Sequence, residues 1–250
     1  MSVRPNVLSI AGFDPSAGAG ILADIKTFET HKVYGFGVCS ALTFQNDLEF
    51  EKIEWIPVSK IIDQITVLEK RLSFNFIKIG IIENPDVLLE VVERLRNKKI
   101  IWDPILRATA GYVFHDHLQV DKLMAVLHGV FLVTPNKPES DFINSYLNIT
   151  TTEGLRALIK EQHFASFYIK GGHAENQEAE DLLLDQNTIT KIKKNRLSGF
   201  HKHGTGCVLS AAITANLAKG NDLRSSCKKA KDYIHQFIKS NHTNLGYHPA

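Results

Sequence analysis

The chain has 250 residues, with Lys and Arg supplying 29, Asp and Glu 27, and hydrophobic residues 44%, so the formal net charge is only +2. So even a balance excludes a global field for nucleic acid or an anionic membrane, and no run approaches the ~18 uncharged apolar residues of a spanning helix. Cys39, Cys207 and Cys227 are odd in number and far apart, which excludes a disulfide framework and a CxxC zinc site.

A single α/β domain over residues 1–250 is expected, because nothing in the chain resembles a linker. The opening Met1-Ser2-Val3-Arg4-Pro5-Asn6 lacks an apolar signal core, so a cytoplasmic protein is expected. His115-Asp116-His117 and His201-Lys202-His203 are the close histidine pairs, and neither has ligand spacing with a second cluster.

In chain order, Val7-Leu8-Ser9-Ile10-Ala11 is a short apolar run ended by Gly12 and predicts a buried strand. Phe13 to Gly18 is dense in turn formers, after which Ile21, Leu22, Ile25 and Phe28 stripe a helix over Ala19 to Thr30. Phe36 to Phe44 predicts a second strand and Ile53 to Pro57 a short extended piece. Ser59 is the expected cap of a helix through Leu72 with Ile62, Ile65 and Leu68 inward.

Strand and helix then alternate. Phe76 to Ile79 predicts a strand, Asn84-Pro85 the cap and first turn of a helix to Arg96, and Lys99 to Trp102 another strand. Phe131 to Thr134 is the fifth strand, Thr150 to Glu153 reads as a capping box for a helix ending near Gln162, and Phe167 to Lys170 is the sixth strand. Asp181 to Asp185 and Thr188 to Ile192, joined by Gln186-Asn187, predict an antiparallel hairpin near a sheet edge. Thr205 to Lys219, stopped by Gly220, and Leu223 to Ser240 predict two closing helices. The whole is a mostly parallel sheet covered by helices on both faces, and its ligand belongs beyond the carboxyl ends of the strands.

Gly18-Ala19-Gly20-Ile21-Leu22-Ala23 matches the loose dinucleotide pattern GxGxxA, but its glycines come seven residues after the strand ends. The second strand also ends near Gln45 without an acidic group for a ribose, so a Rossmann oxidoreductase fits poorly. No Gly-Lys dipeptide occurs, so a nucleotide triphosphate would be held without a P-loop.

His203-Gly204-Thr205-Gly206-Cys207 is different, because its glycines lead directly into an apolar, alanine-rich run. Unpaired amides and the positive end of a helix dipole at such a turn can receive a phosphate. Cys207 falls in the first helical turn, where a thiol pKa tends to drop, so it could accept a proton from a nearby hydroxyl. The alternative is an ordinary turn followed by a small buried hydrophobe. Polar residues stand at the other strand ends: Gln45 and Asn46, Asp103, Thr134-Pro135-Asn136 with Glu139, and Lys170-Gly171-Gly172-His173. In this architecture those ends converge on one crevice. There Asp103 and Glu139 could position Mg²⁺ through its waters, Lys170 could neutralise transferring phosphate charge, and the amides around Gly204 and Gly206 could stabilise a transition state.

These residues resemble hydroxymethylpyrimidine/phosphomethylpyrimidine kinases. The likeness runs from Ile10-Ala11-Gly12, Asp14-Pro15-Ser16 and Gly18-Ala19-Gly20 through Ala23-Asp24, Gln45-Asn46, Lys78-Ile79-Gly80 and Trp102-Asp103-Pro104 to the loop at His203–Cys207, nearly the whole chain. The resemblance implies a ribokinase-like α/β fold and ATP-dependent phosphorylation of the hydroxymethyl group of 4-amino-5-hydroxymethyl-2-methylpyrimidine in thiamine biosynthesis, with its monophosphate as a second acceptor.

It further implies Cys207 as base with Gly204, Thr205 and Gly206 as its anion loop. Gly12, Ala19, Asp24, Gln45, Ile81 and Ile105 would form the substrate pocket, with the Gln45 amide donating to a ring nitrogen and accepting from the amino group. Asn136, Lys170, Gly172, Thr205 and Lys231 would hold ATP, and Asp103 and Glu139 Mg²⁺. A homodimer is expected from the family, with no nucleic-acid or membrane partner. Phe13, Ile81 and Arg107-Ala108-Thr109-Ala110-Gly111 depart from the family pattern. Relatives with the same loop phosphorylate pyridoxine, pyridoxal or pyridoxamine, which is the alternative substrate class, and an inactive ligand-binding relative is the third.

Overall fold

The structure is a computed structural model that describes residues 3–106, 119–171, 178–197, 199 and 201–249. Strands β1 (Asn6–Phe13), β2 (Tyr34–Gln45), β4 (Phe76–Ile79), β5 (Lys99–Trp102), β6 (Leu132–Val133) and β7 (Ser166–Ile169) pair in parallel in the order β2-β1-β4-β5-β6-β7. Antiparallel strands extend both edges of this nine-stranded sheet: β3 (Phe50–Trp55) beside β2, and the hairpin β8 (Glu178–Leu184) and β9 (Ile189–Asn195) beside β7. The hairpin was legible as alternation around Gln186-Asn187; the β3 edge corresponds to a piece read as shorter and later, at Ile53 to Pro57.

Helices α2 (Val58–Glu69), α3 (Pro85–Arg94), α4 (Val120–Gly129), α5 (Lys137–Tyr146) and α6 (Thr152–Gln162) bury their apolar stripes against one face of the sheet. Helices α1 (Gly20–Thr30), α7 (Thr205–Ala218) and α8 (Leu223–Lys239) cover the other. Strand alternation sorts side chains between the two layers. Leu8 and Ile10 of β1 and Ile77 and Ile79 of β4 join the first core, while Ser9 and Lys78, register partners across β1 and β4, turn toward α1. Helix α7 is buried along almost its whole length, which fits its uninterrupted run of small and apolar residues.

Several local expectations shift. Helix α2 starts at Val58 with Pro57 as N-cap, so Ser59 lies inside it; the fixed φ of proline, here −52°, already sets the chain direction. The cap of α6 is Thr151, whose side chain accepts from the Gly154 amide, one residue beyond Thr150. A reciprocal capping box instead opens α5, where Asn136 accepts from the Glu139 amide and Glu139 accepts from that of Asn136. Helices α4 and α5 had no counterpart in the sequence reading.

Candidate functional site

The carboxyl ends of β1, β4, β5, β6 and β7 continue their ladders by one or more residues. Asp103 N–H donates to Ile79 O at 2.8 Å, Thr134 N–H to Trp102 O at 2.9 Å and Lys170 N–H to Pro135 O at 2.8 Å. This staircase brings three polar side chains side by side. Lys170 Nζ lies 2.8 Å from Asp103 Oδ1, which also accepts from Thr134 Oγ1 at 3.2 Å, and Ser210 of α7 donates to Asp103 Oδ2 at 3.1 Å. Glu139 Oε2 stands 4.0 Å behind the same ammonium.

The N-terminus of α7 closes this corner. Gly204 is its N-cap in the left-handed region at φ 74°, with no side-chain cap on the amides that follow. A Cβ at Gly204 would come within 2.0 Å of Gly18 O, so only glycine permits this approach to the β1–α1 loop. A Cβ at Gly206 would lie 3.3 Å from Lys170 Nζ, which places the anion loop against the ammonium. Uncapped amides, a helix dipole and a lysine thus face one spot.

Protonation follows from burial and charge. Burial raises the Asp103 carboxyl, but the Lys170 and Lys78 ammonium groups outweigh it and hold Asp103 below the usual carboxylate range. Burial depresses the Lys170 amine, yet Asp103 and Glu139 lift it above its ordinary value, so it is charged at neutral pH. Burial keeps Glu139 raised against the pull of Lys170.

Cys207 corrects the expectation of a lowered thiol. It is buried, and loss of water pushes it up to about 11 against the opposing attraction of Lys78. The helix terminus is present, but water exclusion is the larger effect.

Other site expectations are placed as follows. Gly12, Ala19 and Gln45 line the ends of β1, α1 and β2; Ile81 Cδ1 sits 2.5 Å from where a Gly12 Cβ would be, filling the space that glycine leaves. Gln45 Nε2 donates to Thr43 Oγ1 at 2.8 Å, which leaves its carbonyl oxygen able to accept. Ile105 follows Asp103 beside a small cleft lined by Gly80, Trp102 and Leu106.

Asp24 does not face the pocket. It has no exposed surface, and its Oδ2 takes Lys78 Nζ at 2.8 Å and Ser9 Oγ at 2.5 Å, because Ser9 and Lys78 converge beneath α1. Lys231 likewise is committed elsewhere, with Nζ 2.7 Å from Asp181 Oδ2. Tyr168 also donates to that oxygen, at 2.6 Å, while Asp181 Oδ1 accepts from the Gly171 amide at 2.8 Å. Lys231 is therefore tied through Asp181 to Gly171, just after β7. Gly172, His173, His115 to His117 and Arg107 to Gly111 lie outside the described residues.

The sequence reading placed Thr134 at the crevice but did not single out Lys78, Asp181 or Ser210 as site-forming groups. Lys78 and Ser9, polar residues inside otherwise apolar strands, were the available signal for the first pair; Ser210, at i+3 from Cys207 on the same helical face, was the signal for the last. Among the described residues no three His, Cys, Asp or Glu side chains assemble as a metal cluster, and no helix is long and apolar enough to cross a membrane.

Comparison with known proteins gives consistent results. The family described as phosphomethylpyrimidine kinase matches residues 14–249. A hydroxymethylpyrimidine/phosphomethylpyrimidine kinase of Aquifex aeolicus is 34% identical over 239 residues, 93% of this chain and 94% of the relative. A phosphomethylpyrimidine kinase structure from Clostridium difficile superposes with a TM-score of 0.76 at 28% identity, covering 94% of this chain and 100% of that one. A Staphylococcus aureus pyridoxal kinase in complex with AMP-PCP and pyridoxal gives 0.79 at 26% identity, covering 96% and 89%.

Proposed function

Because this chain belongs to the phosphomethylpyrimidine kinase family, we propose that it transfers the γ-phosphoryl group of ATP to the hydroxymethyl oxygen of 4-amino-5-hydroxymethyl-2-methylpyrimidine, in thiamine biosynthesis. The observation that carries the reading is the corner where uncapped amides of α7, the charged Lys170 and the Cys207 sulfur meet. Phosphoryl transfer is chiefly positioning plus stabilisation of charge on the moving group, and these are the groups it requires.

The pyrimidine ring lies over Gly12 and Gly18-Ala19-Gly20, held by Gln45 and by Ile81 and Ile105 as apolar walls. The triphosphate runs along the ends of β6 and β7 past Asn136 and Thr205, with its terminal group over Gly204 to Gly206. Lys170 exchanges its contact with Asp103 for a phosphate oxygen; Thr134 and Ser210 continue to satisfy the carboxylate left behind. As the new O–P bond forms and the bond to the ADP oxygen breaks, the hydroxyl proton passes to the Cys207 sulfur as thiolate.

Asp103 and Glu139 offer hard oxygen donors on either side of Lys170, a set that suits Mg²⁺ held through its waters and the phosphates. When bound, the ion neutralises charge on the β- and γ-phosphates. Asp103 is already hydrogen-bonded at both oxygens, so its part is to orient coordinated water rather than to replace it.

A second acceptor class has one specific support, the fold match to a pyridoxal kinase solved with pyridoxal bound. ATP consumption with the pyrimidine alcohol, its monophosphate and pyridoxal offered side by side decides among them. The proposal expects the highest kcat/KM for the pyrimidine alcohol; higher turnover of pyridoxal would move the chain to vitamin B6 salvage, and no turnover of any would remove the kinase reading. The homodimer is tested separately, by light scattering of the purified protein.

A further inference from the structure

We propose that Asp14 and His203 form a positioning latch that fixes the β1–α1 loop against the N-terminus of α7, and so sets the distance between acceptor and phosphoryl group. The two residues are 189 positions apart, both are buried, and His203 Nε2 donates to Asp14 Oδ2 at 2.9 Å. Neither touches the reacting atoms. The kinetic consequence rests on the kinase reading, whereas the latch itself does not.

Among the described residues, Asp14 gathers its donors from its own loop and from this histidine. Oδ2 accepts from the Ala19 amide at 2.8 Å, and Oδ1 from the Ser16 amide at 2.9 Å and Ser16 Oγ at 2.8 Å. Burial raises this carboxyl, but His203 and Ser16 hold it below the usual range, so it remains an anion. Asp14 thereby ties down the amide of Ala19, the N-cap residue of α1, and through His203 it reaches the residue just before the N-cap of α7.

His203 is gripped from the other side. Its amide donates to Asn244 O at 2.8 Å, and its ring fills the position of a Gly18 side chain, 2.5 Å from the Cβ that glycine lacks. Leu245 Cδ2 closes the same position at 2.8 Å. One residue on, Gly204 packs onto Gly18 O. Substrate loop and phosphate loop thus meet at the His203 ring, where the His203–Asp14 hydrogen bond and the approach of Gly204 to Gly18 O fix their register.

The test compares His203→Ala, His203→Gln and Asp14→Asn with the double variant Asp14→Asn/His203→Ala. Gln keeps an N–H donor near the position of Nε2, while Asn turns an amide NH₂ toward donors and breaks the network. His203→Ala should lose about 10- to 100-fold in kcat with both KM values within about threefold, since misplacement of about 1 Å costs up to that much. His203→Gln should regain most of it, and the double variant should be no slower than the worse single. Hydrogen exchange provides a readout independent of activity: His203→Ala should speed exchange in residues 14–20 and 203–206 together, and His203→Gln should restore both.

Unchanged kcat in His203→Ala, equal losses in Ala and Gln that track a common fall in Tm, or multiplying losses in the double variant would each overturn the latch. Faster exchange in only one of the two loops would do so as well. If the unaltered protein turns over no acceptor, the kinase reading fails and the exchange result still decides the latch.

Discussion

One lysine–aspartate pair joins β4 to α1 and another joins the ends of β7 and β5, with the same 2.8 Å separation and opposite access to water. Lys78–Asp24 is sealed at 0% exposure on both sides, whereas in Lys170–Asp103 the lysine side chain keeps 15% exposure over a fully buried carboxylate. The sealed pair has one supporting hydroxyl, Ser9, and leaves Asp24 Oδ1 with no hydrogen-bond partner. The open pair has two, Thr134 and Ser210, on the carboxylate alone. Access and spare donors, rather than distance, decide whether an ion pair can release its lysine to a ligand. Lys78 cannot be released without stranding Asp24; Lys170 can.

The largest effect should come from breaking the sealed pair. Lys78→Met leaves an uncompensated buried carboxylate and should cost ~3–5 kcal/mol, a fall in Tm of roughly 6–20 °C for a domain of this size. Lys78→Met/Asp24→Leu should recover much of that loss, because a neutral pair has no charge to strand. A Tm unchanged by Lys78→Met in calorimetry would show that the pair is not held as ions and would erase the contrast.

The open pair should behave in the reverse way. Lys170→Met should reduce kcat by ~10²–10³, as expected for loss of one group stabilising transition-state charge, with a smaller fall in Tm than Lys78→Met. Equal thermal losses in the two variants, or full turnover in Lys170→Met, would place both lysines in the same structural class.

The pH dependence sharpens the role of the sulfur between these pairs. Burial pushes the Cys207 thiol up to about 11, so the thiolate fraction of the free enzyme rises about tenfold per pH unit below that value. The sign is therefore positive: kcat/KM should climb with pH through the neutral range, and Cys207→Ala should lose ~10²–10⁴ in rate together with that slope. A flat profile in the unaltered enzyme would remove the sulfur as base. The smallest effect is expected at Gln45→Leu, which removes one or two hydrogen bonds to the ring and should weaken pyrimidine binding by ~0.5–1.5 kcal/mol per bond. Unchanged affinity by calorimetry would end its assigned role.

The parallel strands were legible because their apolar runs, four or five residues in all but β2, are too short for helices and stand next to turn formers such as Gly, Asn or Pro. Helix α5 was not, since Lys137 to Tyr146 holds little apolar stripe, although Asn136-x-x-Glu139 with Pro138 is a start signal. Helix α4 did carry a signal, Leu123, Val126 and Leu127 at helical spacing. The converging strand-end residues Asp103, Glu139 and Lys170 follow from topology alone.

Tertiary pairing explains what could not be read. Asp24 meets Lys78 across 54 residues, and Lys231 meets Asp181 across a helix–strand contact that no local pattern encodes. The Cys207 thiol was misjudged because helix position is written in the sequence and depth of burial is not.

The central claim is that the α7 N-terminus and Lys170 receive the transferring phosphate. A crystal structure with a non-hydrolysable ATP analogue and the pyrimidine alcohol tests it most directly. The terminal phosphate should accept hydrogen bonds from the amides at the start of α7, with Lys170 Nζ moved from Asp103 onto a phosphate oxygen. A triphosphate docked elsewhere, with the Lys170–Asp103 contact still at 2.8 Å, would contradict the account.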